Sequence, residues 1–470
     1  MKKNNFPVVV VLTAIFIFWV ILTRNNFFHW DEWYFLTGFN QGVSSILKPY
    51  GDQYLPFNIL NHFILFKTFG LNNRPFQLSV IIFHVINCLV LYKIIILETK
   101  NKKIALLATL LFGISNVYNE DLVWSQGIST VGSALFVSLG YLFYLKFIQN
   151  MKNKWLIASA ISLILSPLFN DFGVLASFAF MVFPYFSKSL QKLRVRISSI
   201  YLFSGAVSVL ILLLFSGKNV LHSAVPASLY SAFQMVEFVI FGILRGTILR
   251  FLYPGFHILK DQQTLKSISF FILAVVVLLF ALRVFILWIK DKETRREKIN
   301  KLIILASLIS VGYLAASIGR VSYGLAQAGI SRYTYQSFFF LIVLGAYILK
   351  DYRDKFRLVA FVLVFAWLIN VVAIIQFEQG FWQLMVNRDR QFTVDLRYVE
   401  SRNQTVYDFP INGIAPKLKI SNFWFLLPRS HNVNFISSSK YHENDCQYCS
   451  DQRTKEIYKR LSTEYQIKFD

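Results

Sequence analysis

Charge is missing from long stretches of this chain, and that absence governs how the rest is read. Val8 to Thr23 and Leu302 to Ile318 contain no charged residue. Each run is about as long as the ~17 residues needed to cross ~30 Å of hydrocarbon as a helix. Only 16% of the 470 residues are charged, against 55% hydrophobic and 17% aromatic, and the mean hydropathy is +0.50. A soluble domain of this size is excluded by that balance, and the bilayer becomes the relevant solvent. Acidic residues are the scarcer sign, 25 against 48 Lys and Arg, for a net charge of +23. The basic residues punctuate the apolar runs and form no single aromatic-interleaved face, so they are read as a topology signal and not as a nucleic-acid footprint. No small-residue cleavage site follows the apolar run after Met1, and that segment is expected to be a retained first helix, not a removed signal. Cysteine is nearly absent. Cys88 lies in an apolar run and reads as a small core residue. Cys446 and Cys449, with His442 upstream, fit a local disulfide or free thiols, and fit a metal site less well because one His joins the pair. No internal repeat is present at a solenoid period.

Length and charge exclusion predict an all-α integral membrane protein of about eleven spans. They are Pro7 to Thr23, Phe76 to Leu97, Ile104 to Tyr118, Ile128 to Ile148, Trp155 to Phe169 and Phe172 to Phe186. The others are Ile197 to Phe215, Ser267 to Ile289, Leu302 to Ile318, Tyr333 to Leu349 and Leu358 to Gln376. With the N-terminus cytoplasmic, the loops Glu98 to Lys103, Gln149 to Lys154, Ser187 to Arg196, Lys290 to Lys301 and Lys350 to Arg357 face inside, and each is basic. The opposite connections Asn119 to Gly127 and Asn170 to Asp171 have no Lys or Arg. Lys93, Lys146 and Arg283 fall within spans but toward the inner ends, where long side chains reach the interface. The apolar Pro56 to Gly70 is too short to cross and contains His62 and Lys67, so an interfacial or re-entrant helix on the outer side is expected. Ser216 to Lys266, with Glu237, Arg245 and Arg250, is expected to hold an amphipathic surface helix. Residues 1–376 form the transmembrane domain on this reading, and 377–470, richer in Asn, Asp, Arg, Ser and Pro, form a small extracytoplasmic C-terminal domain.

This topology gathers carboxylates on the outer side: Asp31 and Glu32 among His29, Trp30, Trp33 and Tyr34, then Asp52, then Glu120 and Asp121 near Trp124, then Asp171. Cations that can face them are Lys218, His222, Arg320 and Arg332. Such a set suits glycosyl transfer from a lipid phosphate, with a carboxylate taking the acceptor proton and cations neutralising the leaving phosphate. The aromatic residues fit an interfacial belt as well as they fit sugar stacking. Asp31 and Glu32 lie a few residues past a span exit and between tryptophans, where an unpaired carboxylate would be costly, which favours a catalytic or acceptor-orienting role. Asp171 sits in a connection short enough that capping a helix N-terminus is an equal alternative. For Arg320 and Arg332 the alternatives to phosphate binding are lipid head groups and surface ion pairs.

These residues resemble the GT-C class of polytopic membrane glycosyltransferases, in particular the branch of protein O-mannosyltransferases and bacterial lipid-linked sugar transferases. The resemblance starts at Asp31 and Glu32, runs through Arg74 and Pro75, the helix with His84 and Asn87, and Tyr118 to Trp124, and reaches Asn170 and Asp171. It covers roughly the first 175 residues. Tyr118 stands where some members have His, and Asn170 where Lys commonly precedes the acid. The resemblance implies inverting transfer from a polyprenyl-phosphate sugar donor to a glycan, lipid or protein acceptor, with Asp31 as base. Glu32 and Glu120 would orient acceptor or base. Metal is not required, although paired carboxylates suit Mg²⁺ or Mn²⁺; no preorganised ligand set is evident. Two other functions compete. A transporter or flippase of lipid-linked sugars places ionisable groups near mid-membrane and often shows inverted repeats, whereas here the middles of the spans are nearly charge-free. A non-catalytic cell-envelope assembly protein would keep the architecture without the chemistry.

Overall fold

A computed structural model describes residues 6–26, 28, 32, 35–36, 39–47, 54–70, 72–170, 173–216, 229–252, 285–286, 295–321, 324–352 and 356–382. It also describes residues 440–441, 452, 455–456, 459–460 and 468–469. These residues are almost entirely helical. The helices are α1 (Phe6–Leu22), α2 (Pro56–Phe69), α3 (Asn73–Thr99), α4 (Lys102–Gly113), α5 (Asn119–Val123), α6 (Ile128–Asn150) and α7 (Asn153–Leu165). They continue with α8 (Gly173–Val182), α9 (Arg194–Ser216), α10 (Leu229–Phe241), α11 (Arg295–Arg320), α12 (Tyr335–Leu349) and α13 (Phe356–Phe377). Five stretches are long and apolar enough to cross a membrane: Asn73–Thr99, Ser125–Asn150, Arg194–Phe215, Arg295–Ile318 and Arg357–Phe377. Phe6–Leu22, Asn153–Leu168, Gly173–Phe186 and Tyr335–Leu349 are shorter apolar helices. The expected span at Ser267 to Ile289 lies outside the described residues apart from positions 285 and 286. Most of the expected C-terminal domain, with Cys446 and Cys449, does too. What is described there includes a two-residue parallel pairing, Lys440–Tyr441 beside Lys468–Phe469.

Local chemistry sets the helix ends. Asn72 caps α3 by accepting from the Arg74 amide, and Asn101 caps α4 by accepting from Lys103 N at 2.9 Å and Ile104 N at 3.3 Å. Helix α3 stops where Lys100 turns left-handed, and α6 stops the same way at Met151. Two residues join each helix to the next, so α3–α4 and α6–α7 are close neighbours in space. Carbonyls left over at the end of α4 are met by side chains from elsewhere: Gly113 O accepts from Trp19 Nε1 at 2.8 Å and lies 3.0 Å from His84 Nε2. The other nitrogen of His84 is 2.7 Å from the Tyr335 hydroxyl, which ties α12 to the same point. Phe112, Tyr118, Tyr335 and Phe338 pack around this junction. Cys88 is fully buried there, its Sγ 3.7 Å from His84 Nε2.

Two segments depart from the simple count. The run Ile104 to Tyr118 is not one helix: α4 ends at Gly113, the chain extends through Ile114 and Ser115, and a 3₁₀ turn follows at Asn116–Tyr118. Ser115 is the cause, since its hydroxyl accepts from Val117 N and begins the new turn. The stretch expected as an amphipathic surface helix is α10, prolonged by a π-helical segment Gly242–Leu249 and a last turn Arg250–Leu252. Its exposed side carries Phe233, Val236, Ile240 and Leu244, while Arg250 turns inward. The exposed side is therefore mostly apolar but includes Glu237, and of the three charged residues Arg250 is bonded inward. Close packing explains the inward fit: Gly242 and Gly246 lie against the Tyr313 ring and hydroxyl, which leave no room for a Cβ.

Candidate functional site

The expected second outer loop is the hub of the charged residues. It comprises the one-and-a-half-turn helix α5, the bend at Trp124 and a 3₁₀ turn Ser125–Gly127 leading into α6. Side chains from other segments hold its backbone. Leu122 O accepts from Gln77 Nε2, Val123 O accepts from Asn26 Nδ2 at 2.7 Å, and Asn116 N donates to Asn370 Oδ1 at 3.2 Å. Gly127 passes so close beneath the Asp121 carbonyl that any side chain there would collide with it. The loop is thus pinned from α3 and from the turn that follows α1, and the 3₁₀ turn before it from α13, so its two acids have fixed positions.

Glu120 and Asp121 differ in environment. Glu120 is half-buried and accepts from Ser331 Oγ at 2.8 Å. Asp121 is fully buried; Thr130 donates to its carboxylate, and among the described residues its Oδ2 has no hydrogen-bond partner. Burial, then the adjacent Glu120 charge, push the Asp121 carboxyl well above the ordinary carboxylate range, while Thr130, Arg332 and Arg250 pull it back. Two arginines face this pair. Arg250 donates from Nε to Asn116 O at 3.0 Å, from Nη1 to Gly329 O at 3.2 Å and from Nη2 to Asn119 Oδ1 at 3.3 Å. Burial lowers its pKa, and Glu120, Tyr313 and Asp121 raise it again. Arg332 precedes α12, half-buried, with its guanidinium 5.4 Å from the Tyr333 ring centre.

Glu32 joins the same loop from the other side. Its carboxylate is fully buried and accepts from Ser125 Oγ and, at 3.1 Å, from the Gln126 amide. Ser125 Oγ is in turn 3.4 Å from His62 Nε2, and His62 Nδ1 is 3.0 Å from Asn58 O. Burial drives His62 down to about 4, so the neutral ring is favoured there. The helix expected at Pro56 to Gly70 therefore supplies part of the site's support through His62, and leaves Lys67 exposed.

Glu32, Glu120, Asp121 and Arg332 are thus gathered on or against one loop. Arg320 closes α11, half-buried, on the far side of the connection from Arg332. Asp31, Asp171, Lys218 and His222 lie outside the described residues. Arg250 is the functional candidate that the expected surface helix concealed. The signal for it was present, because a lone arginine between Gly246 and Phe251 in apolar surroundings is by default a group with a partner. Among the described residues no group of three or more His, Cys, Asp or Glu could hold a metal ion. Chemically, the arrangement offers a buried acid whose carboxyl is pushed above its ordinary range, a carboxylate bound by a hydroxyl, and two guanidinium groups beside them. No protein-family model matches this chain and no curated protein matches it significantly, so its function is read from these residues and their geometry.

Proposed function

We propose that the chain is a multi-pass plasma-membrane glycosyltransferase that moves a sugar, with inversion, from a polyprenyl-phosphate donor to a glycan, lipid or protein acceptor on the outer face. The observation that carries the reading is the convergence of Glu120, Asp121, Arg250 and Arg332 on a loop that also binds Glu32. An acceptor hydroxyl attacks the anomeric carbon as the bond from that carbon to the phosphate oxygen breaks. The hydroxyl proton passes to Asp31, and the polyprenyl phosphate leaves as an anion. Glu32 is committed to Ser125 and Gln126, which suits a residue that positions the loop bearing Asp31 and not one that faces substrate. Arg332, with Arg320, Lys218 and His222, holds the phosphate, where a guanidinium gives paired charge-assisted hydrogen bonds. Arg250 already serves two carbonyls and an amide oxygen, so it acts as the fixed positive charge behind the acids. About eleven spans, an inner N-terminus and an outer C-terminal domain belong to the same proposal.

The test is consumption of donor by purified protein offered a panel of polyprenyl-phosphate sugars, with Asp31→Asn and Glu32→Gln run at saturating donor. Loss of general-base assistance slows transfer by ~10²–10⁴-fold, so Asp31→Asn is expected to be nearly inactive yet still to bind donor. Activity of Asp31→Asn within a few-fold of the parent, or no donor consumed across the panel, sinks the reading.

A further inference from the structure

A cavity with polar and apolar walls lies at the other end of the helices, away from α5. It encloses 460 Å³ between the C-terminal ends of α3, α6 and α12, the N-terminal end of α11, and the turn after Phe186. That volume falls in the range of small-molecule sites. At its floor Lys301 pairs with Glu98, and the Tyr141 hydroxyl joins them, accepting from Lys301 at 2.7 Å and donating to Glu98 at 2.9 Å. The wall is braced by Asn300, whose Nδ2 donates to Phe186 O at 2.8 Å. The side nearest the apolar helix bodies is Leu97, Leu145, Ile148 and Ile304.

The lining selects the ligand's charge. It carries two bases, Arg296 and Lys301, and two acids, Glu98 and Glu297. Nearby Lys298 is taken up by Asp351 at 2.9 Å and adds no surplus positive charge. With Lys301 and Glu98 paired to each other, a pure anion entering would face the Glu297 carboxylate, and a pure cation the Arg296 guanidinium. A group with one charge of each sign meets neither penalty. The Tyr141 and Tyr347 rings already carry the Lys301 ammonium, at 5.3 and 5.8 Å from their centres, so a ligand's ammonium is met by the Glu297 carboxylate at the rim. Ser187 and Ser189, whose hydroxyls are 2.9 Å apart, and Arg296 add donors suited to a phosphate. Apolar residues on one side and open access on the other suit a group anchored in the bilayer by its apolar part. We infer that it binds a phospholipid whose head group joins a phosphate to a primary ammonium. It lies on the side of the basic loops, which makes the inner leaflet the source, and it is separate from the proposed transfer site.

Full-length protein is reconstituted in nanodiscs containing equal phosphatidylethanolamine and phosphatidylglycerol, then released and weighed by native mass spectrometry. Retention of one phosphatidylethanolamine in preference to phosphatidylglycerol is expected. Arg296→Ala and Glu297→Gln change exposed residues at the rim, and each is expected to cut retention by on the order of tenfold. Equal retention of both lipids, or unchanged retention in both variants, overturns the inference. Soluble phosphoethanolamine that competes as well as the lipid, mole for mole, overturns the assignment to the bilayer.

Discussion

Asp121 illustrates how much a single buried carboxyl can dictate. Its folded pKa is raised above the ordinary value of 3.8, so above that pH the folded protein holds this proton more tightly than the unfolded chain does. The sign follows: the penalty for ionising Asp121 is absent at low pH and grows as pH rises toward its folded pKa. Asp121→Asn removes the ionisation while keeping shape. Melting curves of the detergent-solubilised parent and variant are expected to diverge in favour of the variant as pH rises above about 4, and parallel curves would refute the assignment. Arg332 gives a different signature. Arg332→Ala, and Arg320→Ala beside it, are expected to weaken binding of a polyprenyl-phosphate sugar by roughly tenfold or more while folding is retained, because each forfeits a charge-assisted hydrogen bond of about 1.5–3 kcal/mol. Equal donor affinity in the parent and both variants leaves the phosphate site without arginines.

At the scale of elements, the informative piece is α10 with its π-helical continuation. A π segment displaces the side chains that follow it relative to a regular helix, and here it precedes the arginine that reaches Asn116, Asn119 and Gly329. The close contact at Gly242 makes this testable. Gly242→Val drives a branched side chain into the Tyr313 ring and is expected to cost about 1–3 kcal/mol, read as a lower melting temperature in detergent; an unchanged value would mean that α10 packs elsewhere. The same element shows what was legible in the sequence. Ten of the eleven expected apolar runs contain a helix, one of them, Ile104 to Tyr118, broken after Gly113, because uninterrupted apolar composition and basic punctuation are local signals. The direction of Arg250 was not local. Its three acceptors lie 134, 79 and 131 residues away, and nothing in the neighbourhood of residue 250 announces them. Ser125 and His62 were hidden for the same reason: each gains its meaning from Glu32, far away in the chain. Glu120, Asp121 and Arg332 were visible because polar residues beside apolar runs stand out one by one.

For the whole molecule, the alternation of basic and uncharged loops makes a prediction about sidedness. Cysteines introduced near Asp52, Trp124 and Asn403 are expected to react with a membrane-impermeant reagent in intact cells, and those near Arg295 and Arg353 are not. Labelling at position 295 from outside would reverse the orientation and every site placed by it. The knot of Glu98, Tyr141 and Lys301 also bears on how the protein is made. Its acid is synthesised 203 residues ahead of its base, so every growing chain passes through a long interval in which Glu98 sits at the end of an apolar helix without this cation. During that interval the half-made protein differs chemically from the finished one at this spot. Synthesis of α11 supplies the missing ammonium and closes that spot.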